Sequence, residues 1–205
     1  ATNAANATKM AENYPPPPVL TIPPRGYYTQ VNGFHLGDPN APVKVDAFTD
    51  FRCSACAYYS QNVEPLIIQD YVETGKVYYT YHSYIVIDSY DGTDASLRSA
   101  NAALCANEQG RFWDYHNTLF ANQITEDAYL FTDARLETMA QNLKLDKTAF
   151  DQCFQARKYS ADIQKDIDLA NSLGVHGTPS VFVDGKFVEN FNQLPQEIDN
   201  ALAGK

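Results

Sequence analysis

Val43-Lys44-Val45-Asp46-Ala47-Phe48-Thr49-Asp50-Phe51-Arg52-Cys53-Ser54-Ala55-Cys56 runs from an alternating apolar pattern into two cysteines separated by two residues. Val43, Val45 and Ala47 alternate with Lys44 and Asp46, the period of a strand. From Cys56 onward the period is that of a helix: Tyr59, Val63, Leu66 and Ile67 share a face, and Pro65 reads as a kink because the apolar pattern continues to Tyr71 and Val72. The dithiol therefore stands where a strand hands over to a helix, with Cys53 at the helix N-terminus.

That position has chemical consequences. Free backbone N–H groups and the positive end of the helix dipole stabilise a thiolate, so Cys53 is expected below the ordinary thiol pKa of about 8.5. Cys56, one turn further in, is expected to be more buried and to remain a thiol. Such a pair supplies a nucleophile and a resolving group for thiol–disulfide exchange. A zinc half-site is the competing reading, but it needs further ligands, and the chain has neither a second Cys-x-x-Cys nor a His-x-x-x-His. Neither metal nor cofactor is expected.

A second segment, Gly174-Val175-His176-Gly177-Thr178-Pro179-Ser180-Val181-Phe182-Val183-Asp184-Gly185, reads as loop, strand and an Asp-Gly turn into a short strand from Lys186 to Val188. With the Phe-x-Cys-x-x-Cys element it resembles the thioredoxin superfamily, whose members set a cis-proline, here matched by Pro179, against the nucleophilic cysteine. Asp50-Phe51-x-Cys53 and the run from Ala103 to His116 narrow the likeness to DsbA-like thiol:disulfide oxidoreductases, over about residues 34–202. The resemblance implies an α/β thioredoxin-like fold, a central mixed sheet flanked by helices, with an inserted α-helical domain. It also implies catalytic Cys53 and Cys56 and an active-site loop, Thr178 and Pro179, against which an extended substrate lies.

Composition sets outer limits. Of 205 residues 44% are hydrophobic, enough for a sizeable core, and the formal charge of −10 argues against nucleic acid, whose binding relies on clustered Lys and Arg. No stretch approaches the ~20 apolar residues of a membrane-spanning helix.

In chain order, residues 1–25 hold Pro15 to Pro18 and Pro23-Pro24 and read as a flexible Pro-rich arm or spacer, with a signal peptide or anchor expected to have been removed upstream. Asn6-Ala7-Thr8 fits a glycosylation sequon, a weak signal. Residues 26–88 form the first part of the thioredoxin-like domain: a hairpin or edge strand around Asn32-Gly33 with Tyr27, Tyr28, Val31 and Phe34, the central strand, the dithiol helix capped by Gly75, and a strand from Val77 to Tyr84. Residues 89–159 read as the helical insertion, with helices over 95–107, 111–122, 133–143 and 146–157. Residues 160–205 complete the domain with helices over 160–173 and 195–202.

Phe112, Trp113, His116, Leu119 and Phe120 recur at helical spacing, so His116 reads as structural, as do His35 and His82. His176, three residues before Pro179, is a candidate modulator of the Cys53 thiolate, with an exposed loop histidine as the alternative. The family comparison exposes two departures. The buried acid that many thioredoxin-like proteins carry six residues before the first cysteine is replaced by Ala47, with Asp46 on the opposite face. Ser54-Ala55 stands where many DsbA-like members place Pro after that cysteine. Some DsbA-like proteins carry a further cysteine pair at places corresponding to Cys105 and Cys153, implying a structural disulfide; two buried free thiols are the alternative. The resemblance leads to an extracytoplasmic monomer, periplasmic, secreted or tethered. Its expected role is a dithiol oxidase acting on folding proteins with cysteines and reoxidised by a membrane quinone-linked partner. A reductase or isomerase, or a chaperone-like binding module, remains the alternative.

Overall fold

The computed structural model describes residues 18–20 and 31–205. A six-stranded mixed sheet is built from β1 (Val31–Asn32), β2 (His35–Leu36), β3 (Val43–Thr49), β4 (Val77–Ser83), β5 (Ser180–Val183) and β6 (Lys186–Val188), in the order β1-β2-β4-β3-β5-β6. Strand β3 lies inside the sheet, parallel to β4 and antiparallel to β5. Its Val43, Val45 and Ala47 are wholly buried, as the alternation requires. Between β2 and β3, Gly37 has φ +94°, and a Cβ there would meet the Val77 carbonyl at 2.5 Å, so only glycine admits this approach.

The dithiol helix is α1 (Ser54–Asn62), broken at Val63 and resumed as α2 (Glu64–Ile67) and a π-helical turn, Ile68–Val72. Pro65 sits in the first turn of α2, where its missing N–H costs nothing. The break alters one expectation: Tyr59, Val63 and Ile67 are buried, but Leu66 is turned to solvent. After β4 come α3 (Ile87–Asp91), α4 (Ala95–Asn107), α5 (Phe112–Asn122), a 3-10 turn (Ala128–Phe131), α6 (Asp133–Asn142), α7 (Lys147–Gln155) and α8 (Ser160–Ser172). Helix α9 (Leu194–Ala203) ends the chain. The boundaries fall within two residues of those expected from periodicity. Asp146 caps α7 by accepting the Ala149 N–H at 2.8 Å.

One face of the sheet joins α1, α4, α5 and the helices behind them in a single apolar core, while the other buries the small cluster Phe48, Ala170, Val175 and Phe182 beneath α8. Most of the Pro-rich arm, the sequon, Tyr27 and Tyr28 lie outside the described residues. Where the arm is described it is docked rather than a free spacer: Leu20 donates its N–H to Asn122 Oδ1 and receives Asn122 Nδ2 on its carbonyl, both at 2.8 Å.

Candidate active site

The loop from Asp50 to Cys53 is fixed before the helix begins. Asp50 is buried, and its carboxylate accepts the N–H groups of Arg52 (2.9 Å), Val86 (2.9 Å) and Ile87 (3.0 Å). Burial nonetheless raises its pKa, against those hydrogen bonds. Its own carbonyl accepts the Cys53 N–H at 3.0 Å. Arg52 is a charged side chain only 1% exposed, held by Asp88 at 2.8 Å, by Asp91, by the Thr93 hydroxyl at 2.8 Å and by the Glu126 carbonyl at 3.0 Å. Gln123 Nε2 donates to the Arg52 carbonyl at 2.7 Å. Residues 50–53 are thus clamped from two sides, by the segment after β4 and by the 123–126 loop that follows α5.

Cys53 is the N-cap of α1, with extended backbone (φ −71°, ψ 122°) and no side-chain cap bond. The two sulfurs of the Cys-x-x-Cys pair are free thiols, Cys53 7% exposed and Cys56 wholly buried. Cys53 Sγ donates to the Thr178 carbonyl at 3.3 Å, and the Thr178–Pro179 peptide bond is cis. Register places this loop there: Phe48 pairs with Ser180, so the chain enters β5 beside the end of β3.

The hydrogen bond from the Cys56 thiol is the largest cause that pulls the Cys53 pKa down to about 6; burial opposes it, and Thr178 and the backbone N–H groups of Cys56 and Ala55 add to it. The helix N-terminus contributes as expected, but the neighbouring thiol contributes more. Burial drives the Cys56 pKa well above its ordinary value, and its interaction with Cys53 pushes the same way. One sulfur is a ready thiolate near neutral pH; the other keeps its proton.

His176 is exposed and lines, with Thr178, Pro179, Phe182 and Phe187, a cleft of about 490 Å³. It is not among the leading groups that set the Cys53 pKa. Cys105 on α4 and Cys153 on α7 are bonded to each other, Cα atoms 5.7 Å apart, across 48 residues of sequence. His116 is buried among Phe51, Tyr81, Trp113 and Phe120. His82 is held by Asp166 at 2.9 Å and Asp46 at 3.1 Å. Among the described residues no cluster of His, Cys, Asp or Glu fits a metal ion.

Sequence reading missed three groups here. Arg52 has no role in that reading, and nothing in its neighbours Phe51 and Cys53 marks it as a buried cation. Glu64 is a buried acid beneath the dithiol helix, accepting from Tyr79 Oη at 2.8 Å and Ser60 Oγ at 3.1 Å, with His116 Nε2 at 3.8 Å. It stands four residues after Ser60 on an apolar face, a legible sign of a polar network. Glu126 accepts the Ser54 N–H at 3.0 Å and the Ser54 hydroxyl at 2.8 Å, and nothing near it in sequence announced that.

A family model described as Thioredoxin matches residues 29–202. The chain belongs to the thioredoxin family. Curated relatives include the probable disulfide bond formation protein D of Bacillus anthracis, 30% identical over 171 residues, which are 82% of this chain and 77% of that one. Disulfide bond formation protein D of Bacillus subtilis is 25% identical over 175 residues, 83% and 77% of the two chains. Among solved structures, oxidised BdbD from Bacillus subtilis superposes with a TM-score of 0.75 at 23% identity, covering 83% of this chain and 93% of its own. Oxidised Mtb DsbA gives 0.65 at 26% identity, covering 83% and 92%. Within the family the chain groups with the DsbA-like protein disulfide oxidoreductases.

Proposed function

We propose that this oxidoreductase works outside the cytoplasm as a dithiol oxidase, with Cys53 and Cys56 as its redox couple. One observation carries the direction. The Cys53 thiolate is favoured down to about pH 6 while Cys56 stays protonated, so the reduced form is stabilised and the disulfide is readily given away. A substrate thiolate attacks Cys53 Sγ of the disulfide and displaces Cys56, which takes up a proton. A second substrate thiol, losing its proton, then attacks the substrate sulfur of the mixed disulfide and expels the Cys53 thiolate. The substrate loses two electrons and the enzyme gains them, for return to a membrane quinone-linked partner.

The substrate lies extended in the cleft beside Thr178, where backbone pairing accommodates many sequences. The chain acts as a monomer. His176, exposed at the rim of that cleft, is the candidate modulator of the Cys53 thiolate. Cys105–Cys153 stays outside the exchange. Oxidised protein mixed with a reduced, unfolded cysteine protein is expected to lose its disulfide stoichiometrically as the client gains one. Retention of the enzyme disulfide, with rapid cleavage of client disulfides by the reduced form instead, would make it a reductase.

A further inference from the structure

The positive end of α1 is not left to the Cys53 sulfur alone. Glu126 Oε1 accepts the Ser54 N–H at 3.0 Å, and the same oxygen receives the Ser54 hydroxyl at 2.8 Å. Ser54 is the first residue of the helix and the immediate neighbour of Cys53. Glu126 comes from the loop after α5, 72 residues away in sequence, and its main chain is tied to the site by accepting Arg52 Nε on its carbonyl. A carboxylate held by that backbone anchor reaches one of the free N–H groups that would otherwise stabilise a thiolate.

We propose that Glu126 is a positioning residue that sets the reduction potential of the Cys53/Cys56 couple. This rests on that couple being the working one. Its negative charge, placed on the residue next to the thiolate, opposes the second negative charge that forms when Cys53 ionises. It also takes up an N–H of the N-terminal turn. Both effects hold the couple less oxidising than the bare helix would make it. Glu126 is exposed, and among the described residues no cation pairs with its carboxylate. The Arg52 guanidinium is engaged by Asp88 and Asp91, Asp50 is spent on three backbone N–H groups, and Cys56 is neutral. His176 stands on the opposite loop, at the cleft. The insertion therefore reaches back through this loop to tune the dithiol, in a chain whose Ser54-Ala55 dipeptide brings no charge of its own.

The test is equilibration of the full chain with reduced and oxidised glutathione: enzyme disulfide plus two glutathione thiols giving enzyme dithiol plus glutathione disulfide. Thiolate ultraviolet absorbance, titrated in parallel, reads the Cys53 pKa. Glu126→Gln keeps an acceptor for Ser54 and removes the charge; Glu126→Ala removes both. Because Arg52 bonds the main chain of residue 126, both variants retain that contact. In each, the Cys53 pKa is expected to fall and the equilibrium to move toward the dithiol by about two- to fivefold, the range for a charge at a helix end. A merely structural role would lower stability without moving either readout. Unchanged titration and equilibrium in both variants, or a shift toward the disulfide, would overturn the proposal while leaving the oxidase reading intact. A wild-type protein that reaches no equilibrium with glutathione would sink both.

Discussion

Two sulfurs three positions apart are given opposite acid–base characters by their surroundings. Cys53 faces N–H donors, the Cys56 thiol and Thr178; Cys56 faces the apolar core. Alkylation of the reduced protein is expected to label Cys53 alone, with a rate that rises through about pH 6 and then levels. Labelling of Cys56 first, or a midpoint near the ordinary thiol value, would refute this division. The sign of the linked stability follows. Because the folded pKa is depressed, ionisation stabilises the reduced fold above the unfolded thiol pKa. That contribution is lost as pH falls toward about 6, by at most ~1.4 kcal/mol per pH unit. Denaturant unfolding of reduced protein across that range, set beside a Cys53→Ser variant, measures it. Cys56→Ser, whose lone Cys53 thiolate attacks the disulfides of oxidised client proteins, is expected to accumulate mixed disulfides, since the internal thiol that would displace the client is missing.

At the scale of elements, the β3–α1 junction depends on one buried cation. Arg52 ties the segment after β4 and the 123–126 loop to the turn that presents Cys53. Arg52→Ala removes a buried guanidinium from the half-buried Asp88 and is expected to cost about 3 kcal/mol, at the low end of the range for breaking a buried ion pair from one side. Urea unfolding checks it; a loss under about 1 kcal/mol, the worth of an exposed pair, would show the anchor to be dispensable. A second tie joins β3, β4 and α8. Burial works to lower the His82 pKa, but hydrogen bonds and charge from Asp166 and Asp46 outweigh it and raise it to about 9. A raised value means that these ion pairs stabilise the fold fully below the unfolded pKa of about 6.5 and fade as pH climbs through about 9. Melting temperature is therefore expected to drop between those values in the wild type and to change less in His82→Gln. Parallel profiles would remove the ion pairs from the account.

For the whole molecule, the Cys105–Cys153 bond pins α4 to α7 across 48 residues. Closing a loop of that length restricts the unfolded chain by about 4 kcal/mol in the chain-entropy description, so replacing both cysteines with alanine is expected to cost up to that amount. Gentle reduction is expected to free two thiols, at Cys53 and Cys56, and four only after denaturation; four thiols from the native state would place this pair within reach of the exchange. Much of the architecture was legible in the chain because periodicity reports which face of an element meets the core. Val43, Val45 and Ala47 alternate, Phe112, His116 and Phe120 recur at helical spacing, and Cys53 falls where one period gives way to the other. Leu66 escaped that logic because a break at Val63 rotates the following turn. Arg52 on Asp88, His82 between Asp46 and Asp166, and Glu126 on Ser54 escaped it for a deeper reason. Hydrophobic periodicity records burial within one element, whereas a polar contact joins residues 36 to 84 positions apart and leaves no mark on either local pattern. The sequence by itself determined the dithiol, its helix and the loop that faces it; only the tertiary structure decided which charges surround them, because only folding brings those charges within hydrogen-bond reach.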